Sequence, residues 1–240
     1  MKIALIGYGK MGQLIEKIAL QRGHTIVARI DMDNMDEIHS DAFRSADVAI
    51  EFTVPSAAIG NYRAAWCEGV KVVSGTTGWT AQLETIRVEV EAHGYTLFWA
   101  SNFSIGVNLF MEANRRLADL INPYKQYQVK LSETHHTAKK DAPSGTAITL
   151  AETILPHLDN YDQWALQQQD NLPTSTLPIE AIREGQVPGI HTVVYESGVD
   201  TITFTHSAKS REGFALGAVV AAEFTATHQG FLSMRDLIGF

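Results

Sequence analysis

The stretch Lys2-Ile3-Ala4-Leu5-Ile6, followed at once by Gly7-Tyr8-Gly9-Lys10-Met11-Gly12, constrains the fold more than any other part of the sequence. A short apolar run is the pattern of a strand buried on both faces, and a helical stretch from Met11 to about Gln21 follows it. Glycines at G-x-G-x-x-G spacing between a strand and a helix have separate jobs. Gly7 allows the tight turn, Gly9 lets a pyrophosphate approach the backbone, and Gly12 lets the helix lie close on the strand. A second strand, Thr25 to Ile30, ends at Asp31, 19 residues beyond Gly12. Near that spacing a carboxylate accepts hydrogen bonds from the adenosine ribose hydroxyls. The start of the chain therefore reads as a dinucleotide site lined by Gly7, Tyr8, Gly9, Lys10, Met11, Gly12 and Asp31.

Strands and helices go on alternating: a strand at Asp47 to Phe52, a helix at Ser56 to Glu68, a strand at Lys71 to Ser74, a helix at Thr80 to His93 and a strand at Tyr95 to Trp99. This predicts an α/β fold, a Rossmann-like doubly wound parallel sheet. Ligands bind such sheets beyond the carboxyl ends of the strands, which singles out Phe52-Thr53, Gly75-Thr76-Thr77-Gly78 and Ala100-Ser101-Asn102-Phe103. From Gly106 the pattern changes to a helix to about Ile121, a strand from about Tyr127 to Glu133, and a helix from Ser144 to about Leu158. The polar stretch Asn160 to Pro178 reads as partly helical and otherwise loop. Strands follow at Ile179 to Arg183, Ile190 to Ser197 and Val199 to Ser207. In the last, Ile202 and Phe204 alternate with Thr201, Thr203 and Thr205, which implies one buried and one polar face. Successive strands without intervening helices predict a C-terminal α+β domain with a mixed or antiparallel sheet. A long helix from Arg211 to about His228 closes the pattern.

Between that strand and helix lies Glu133-Thr134-His135-His136-Thr137-Ala138-Lys139-Lys140-Asp141-Ala142-Pro143-Ser144-Gly145-Thr146-Ala147. Imidazole, with an unperturbed pKa of roughly 6.5, can give up a proton near neutral pH, and an ammonium supplies positive charge. Pro143 presets a helix start, Ser144 is a good N-cap, and the Gly145 and Thr146 amides would point at an anion. The segment reads as an anion-binding catalytic loop. It stands out against a net charge of −8, which argues against a nucleic-acid partner. No apolar run reaches the roughly 20 residues of a membrane span, and Met1-Lys2 leads into a strand with no signal-peptide pattern. The single cysteine, Cys67, can form no internal disulfide, and in a helix it suits a packing role. A cytoplasmic location is the expectation.

The loop resembles the signature E-x-H-H-x-x-K-x-D-A-P-S-G-T-A of the 4-hydroxy-tetrahydrodipicolinate reductase family, nicotinamide-dependent enzymes of the diaminopimelate route to lysine, and every fixed position is present. Gly75-Thr76-Thr77-Gly78 is similar to the family's G-T-T-G, and Asn102-Phe103-Ser104-Ile105-Gly106-Val107-Asn108 to its N-F-S-x-G-V-N. The resemblance implies NADH and/or NADPH as cofactor, with Phe52, Gly75, Thr76, Thr77, Ala100, Ser101, Asn102 and Phe103 around the nicotinamide and its ribose. It implies His135 and Lys139 as proton donors, and a small dicarboxylate substrate held by His136, Gly145 and Thr146. No metal is expected. Asp141 is expected to fix the loop and Lys140 to be solvated. The family's terminal helix returns to the dinucleotide domain, so the expected domains are 1–105 plus 212–240 for the dinucleotide, and 106–211 for substrate binding and for assembly into a homotetramer.

Three departures bear on the cofactor. Many members carry G-x-x-G-R-M-G, whereas this chain has the shorter loop with Lys10 in place of arginine. Met32 follows Asp31 where a basic residue often stands, and only about sixteen residues separate Asp31 from the third strand. Asp31 should therefore favour NADH at least as much as NADPH, with Lys10 and Arg29 as partial compensation. Two other readings are weighed. A different two-domain dehydrogenase would need a glutamate-lysine-proline strand end, which is lacking. A dinucleotide-sensing module would not need His135, His136 and Lys139 together.

Overall fold

The computed structural model describes residues 1–167 and 172–240. They form two compact units, Met1–Ile105 with Glu212–Phe240, and Gly106–Arg211.

The first unit begins with β1 (Lys2–Ile6), α1 (Lys10–Gln21) and β2 (Thr25–Ile30), then a 3-10 stretch Met32–His39 and the short α2 (Asp41–Arg44). It continues with β3 (Val48–Glu51), α3 (Pro55–Cys67), β4 (Lys71–Ser74), a 3-10 turn at Thr80–Gln82, α4 (Leu83–His93) and β5 (Thr96–Trp99). The second unit holds α5 (Ile105–Ile121), which starts at the boundary, β6 (Gln128–His135), α6 (Gly145–Ile154), β7 (Gln163–Leu166), β8 (Thr176–Arg183), β9 (Ile190–Glu196) and β10 (Thr201–Ser207). The chain then returns to the first unit with α7 (Glu212–Thr227), β11 (Gly230–Leu232) and α8 (Met234–Ile238).

The first sheet has the order β11-β5-β4-β3-β1-β2, with every pairing parallel. Successive side chains of a strand point to opposite faces. Ile3 and Leu5 accordingly join Ile15, Phe98, Ala218 and Val219 in one core, while Ala4 and Ile6 join Tyr62, Trp66 and Ile86 in another. Both faces are covered, as a parallel sheet requires. Strand order reverses at β1, with β2 on one side and β3 on the other, and this is the switch point where a crevice opens. On α7, a Cβ on Gly217 would lie 1.7 Å from the Phe103 carbonyl oxygen. Only glycine lets this helix close on the loop after β5.

The second sheet is mixed, in the order β10-β9-β6-β8-β7. β9 is antiparallel to β6 and to β10, and β8 is parallel to β6 and to β7. Its core gathers Val129, Leu131, Leu150, Ile154, Leu177, Ile179, Val193 and Tyr195.

The expected fold class is found: one unit with a Rossmann-like parallel sheet and a second of α+β type. Several local readings change. Within Asn160 to Pro178, Gln163–Leu166 is a strand and the described residues hold no helix; residues 168–171 of that stretch lie outside the described residues. The polar composition hides a strand because β7 is an edge strand, paired on one side only. Ile202 and Phe204 do not mark a buried face, since they are 40% and 37% exposed on the other edge strand, β10. Cys67 is exposed rather than packed. The helix after Ser144 gives way to a 3-10 turn at Leu155–His157, where Pro156 lacks the amide the helix needs.

Candidate active site

In the first unit the loops after β1, β3, β4 and β5 continue the sheet's hydrogen bonding past the strands. Gly7 N donates to Ile30 O (2.8 Å), Phe52 N to Ile6 O (2.9 Å), Gly75 N to Glu51 O (3.0 Å) and Ala100 N to Ser74 O (3.3 Å). Gly7 has φ +91°. A Cβ there would lie 2.1 Å from Phe52 O, and one on Gly12 would lie 2.2 Å from Gly7 O. Gly9 differs, because nothing stands within 4 Å of where its Cβ would be. Gly9 is also the N-cap of α1, and no side chain caps that helix. Its first amides therefore start beside open space, and the residues fit the pyrophosphate of a dinucleotide.

Asp31 meets this loop directly: its Oδ2 accepts from Tyr8 N (3.2 Å) and its Oδ1 from Met32 N (2.9 Å). A carboxylate has about four lone-pair sites, so capacity for ribose hydroxyls remains. Phe52 packs its ring where a side chain on Gly75 would stand, with 2.2 Å to the ideal Cβ, and lies 5.7 Å from the Phe103 ring. Thr76 is buried and its carbonyl accepts from the indoles of Trp79 (2.8 Å) and Trp99 (3.0 Å). Thr77 and Ser101 are exposed, and Asn102 Oδ1 accepts from Ser104 N (2.9 Å). Sequence reasoning missed Glu51, fully buried at the end of β3. Its carboxylate accepts from the hydroxyls of Thr53, Ser74 (2.6 Å) and Thr76 (3.0 Å), tying the loops after β3 and β4 to one anchor.

In the second unit β6 alternates, with Val129, Leu131, Glu133 and His135 on its buried face. Glu133 pairs in register with His191 on β9, and His135 with Arg183 on β8. Backbone register thus brings an acid, two imidazoles and a guanidinium together. Glu133 is fully buried. Its oxygens accept from Ser144 N (3.0 and 3.1 Å) and from Arg183 Nη2 (3.1 Å). Burial would raise its pKa, but the hydrogen bonds from Ser144 and Arg183 and the charge of His135 outweigh it and hold the carboxyl below the ordinary range.

His135 Nδ1 lies 3.2 Å from Pro188 O, so the ring donates there, and Nε2 is the nitrogen that can gain or lose a proton. Nε2 is 3.5 Å from Glu133 Oε2, within ion-pair reach but out of hydrogen-bond alignment, and it has no hydrogen-bond partner. Burial pushes the His135 pKa down, and Glu133 opposes it. His191 stands edge-on to His135, with centroids 5.2 Å apart, and its Nε2 is 3.3 Å from Ser144 Oγ. Burial, with His135 next, pushes His191 down to about 4.

The loop from His136 leads through a cis Ala142–Pro143 peptide to α6, where Ser144 Oγ accepts from Ala147 N (3.2 Å). Open space stands at the Gly145 Cβ position. Lys139 Nζ donates to both oxygens of Asp141 (2.7 and 2.8 Å), and the Asp141 carbonyl accepts from Arg183 Nη2 (2.6 Å). His136 is half-buried and Lys140 exposed. His191 and Arg183 escaped the sequence reading. A histidine sharing the inward face of β9 with Val193 and Tyr195 was the available signal for the first. Nothing local marked the second.

The sequence pattern of the family Dihydrodipicolinate reductase, N-terminus, matches residues 1–103, and that of Dihydrodipicolinate reductase, C-terminus, matches residues 106–238. The 4-hydroxy-tetrahydrodipicolinate reductase of Christiangramia forsetii is 46% identical over 238 residues, covering 99% of this chain and 98% of that protein. The protein of the same name from Nitratidesulfovibrio vulgaris is 38% identical over 200 residues, 80% of this chain and 75% of its own length. Among solved structures, a dipicolinate-bound dihydrodipicolinate reductase from a Paenisporosarcina species covers 99% of both chains with a TM-score of 0.78 and 23% identity, a likeness of fold. The chain belongs to the dihydrodipicolinate reductase family.

Proposed function

We propose that this chain is the NAD(P)H-dependent reductase that converts 4-hydroxy-tetrahydrodipicolinate to tetrahydrodipicolinate, on the diaminopimelate route to lysine. The observation that carries the reading is the joint presence of an uncapped α1 N-terminus beside open space at Gly9 and the buried Glu133–His135 pair next to the start of α6. A reduced nicotinamide, when bound, supplies the hydride. Gly7 to Gly12 and Asp31 hold the dinucleotide, and the loops at Phe52, Gly75 to Thr77 and Ala100 to Phe103 take its nicotinamide end. Asp31 supports NADH use, since it can accept from both ribose hydroxyls and repels a 2′-phosphate.

In the second unit, His136 and the Gly145 and Thr146 amides bind the substrate's carboxylates at the start of α6. His135 and Lys139 deliver the proton. Glu133, in ion-pair reach of His135 Nε2, offsets the cost of charging a buried imidazole, and Asp141 holds the Lys139 ammonium in place. The chain assembles as a homotetramer through its second unit, a reading supported by the exposed Ile182, Val199, Ile202 and Phe204 in and beside the strands of that sheet. No described helix is long and apolar enough to cross a membrane, which is compatible with work in the cytoplasm. The test is oxidation of NADH or NADPH in the presence of the freshly formed condensation product of aspartate semialdehyde and pyruvate. Wild-type protein should turn over, and His135→Gln should lose about 10²-fold or more in kcat with KM little changed. No turnover by the folded wild-type chain refutes the assignment.

A further inference from the structure

Arg29 lies on β2 two residues before Asp31 and so projects from the same side of the strand. With Lys10 of the glycine loop, it is one of two basic side chains near the ribose that Asp31 would hold. The Nε–Nη2 edge of its guanidinium is already engaged, and its charge is matched by an acid. Nε donates to Glu16 Oε2 (2.9 Å) and Nη2 to Glu16 Oε1, a two-pronged pair with a carboxylate from α1. The Tyr8 hydroxyl donates to the same carboxylate, and the Arg29 guanidinium carbon lies 5.9 Å from the centre of the Tyr8 ring. Tyr8 is in the glycine loop, and its amide meets Asp31. Glu16 is 9% exposed, so its charge needs a partner. Arg29, with 45% of its side chain exposed, would otherwise turn to solvent or to a ligand. Glu16 sits in α1 at a position where an amphipathic helix against a sheet ordinarily carries an apolar residue, next to buried Ile15.

We propose that Glu16 is a specificity-determining residue of the dinucleotide site: by pairing with Arg29 it neutralises and fixes a guanidinium that could otherwise receive a 2′-phosphate, leaving Lys10 alone to offset the repulsion from Asp31. The inference rests on the dinucleotide reading above and adds the reason that the chain discriminates between the two nicotinamide cofactors. A bidentate arginine is the usual match for phosphate geometry, so discrimination here depends on a side chain that need not touch the cofactor. A merely structural Tyr8–Glu16–Arg29 cluster would affect both cofactors alike.

The experiment titrates NADH and NADPH into the full chain, following nicotinamide fluorescence, for wild type, Glu16→Gln, Arg29→Gln and the double variant, with a melting curve for each. Glu16→Gln should improve NADPH affinity relative to NADH by about tenfold, a plausible size for one freed charge-assisted pair. The double variant should lose that gain, and Arg29→Gln alone should leave both dissociation constants within about twofold of wild type. An unchanged NADPH to NADH ratio in Glu16→Gln overturns the inference, as does a gain that persists in the double variant. If Glu16→Gln does not fold, Arg29→Gln decides: selective weakening of NADPH means Arg29 already serves the phosphate, and the inference fails. Binding of neither nucleotide to the wild type overturns the dinucleotide reading itself.

Discussion

His191 makes the stability of the second unit depend on pH by an amount that follows from its position. Its register partner is Glu133, its ring stands edge-on to His135, and it is 5% exposed. Burial lowers its pKa from an ordinary 6.5 to about 4. The folded state therefore binds the proton less readily than the unfolded chain does. The contribution of a neutral His191 is complete above pH 6.5 and falls away as pH drops toward 4. At ~1.4 kcal/mol for each tenfold change in proton affinity, the loss is about 1.4 kcal/mol at pH 5.5 and about 3 kcal/mol at pH 4. His191→Gln keeps a polar group near Ser144 Oγ without a basic nitrogen. Urea unfolding of both proteins at pH 7.5, 5.5 and 4 gives the difference, since the carboxylates titrate in both. Wild type should lose roughly 3 kcal/mol more than the variant over that range. Parallel pH curves would refute the burial argument. If His135 is the proton donor proposed above, a neutral His191 means that no second imidazolium opposes its charged form across 5.2 Å.

Three further outcomes are expected. Gly189→Ala places a Cβ 2.9 Å from His135 Cε1; the imidazole must shift, and kcat should fall tenfold or more with nucleotide affinity unchanged, so an unaltered kcat counts against His135 as the acid. Lys139→Ala removes the ammonium beside Asp141 and should weaken competition by pyridine-2,6-dicarboxylate, a planar mimic of the substrate ring; equal inhibition of variant and wild type moves the anion site elsewhere. Sedimentation equilibrium at micromolar concentration should report about four times the 26.4 kDa of one chain, and a stable monomer removes both the tetramer and the role given to the exposed face of β10.

What the sequence disclosed depended on how local the signal was. Gly7 to Gly12, Thr25 to Asp31 and the strand-helix alternation up to Trp99 are short-range patterns, and the parallel sheet could be read from them. The contiguous signature loop is as local, and through the family resemblance it pointed to His135 and Lys139; Ser144 is the N-cap of α6 because its side chain does what a cap does within three residues. Arg183 and His191 are 48 and 56 residues from His135 and reach Glu133 through strand register alone. Ile202 and Phe204 misled for the opposite reason. Period-two alternation reports a strand with unlike faces, but whether the apolar face is covered is a property of the sheet around it. β10 ends the sheet, and Phe204 finds Phe110 at 5.2 Å yet stays 37% exposed.

The two carboxylates that sequence reasoning left without a role, Glu51 and Glu133, show how a strand residue can organise loops. Each is fully buried on a strand at the end that leads into a candidate site. A bare buried charge of this kind is costly, and donors must gather around it. Glu51 collects hydroxyls from Thr53, Ser74 and Thr76, which cannot carry positive charge, so its loops are tied by neutral donors. Glu133 collects a backbone amide at the start of α6, a guanidinium from β8 and two imidazoles. Only the second cluster contains imidazoles, one of them, His135, with a free Nε2 in reach of the carboxylate, so only there can the carboxylate bear on proton transfer as well as on loop geometry. Glu51 therefore organises beside hydroxyls and the Tyr62 phenol, whose pKa burial and the Glu51 charge push up, whereas Glu133 also favours the charged form of the His135 imidazole next to it.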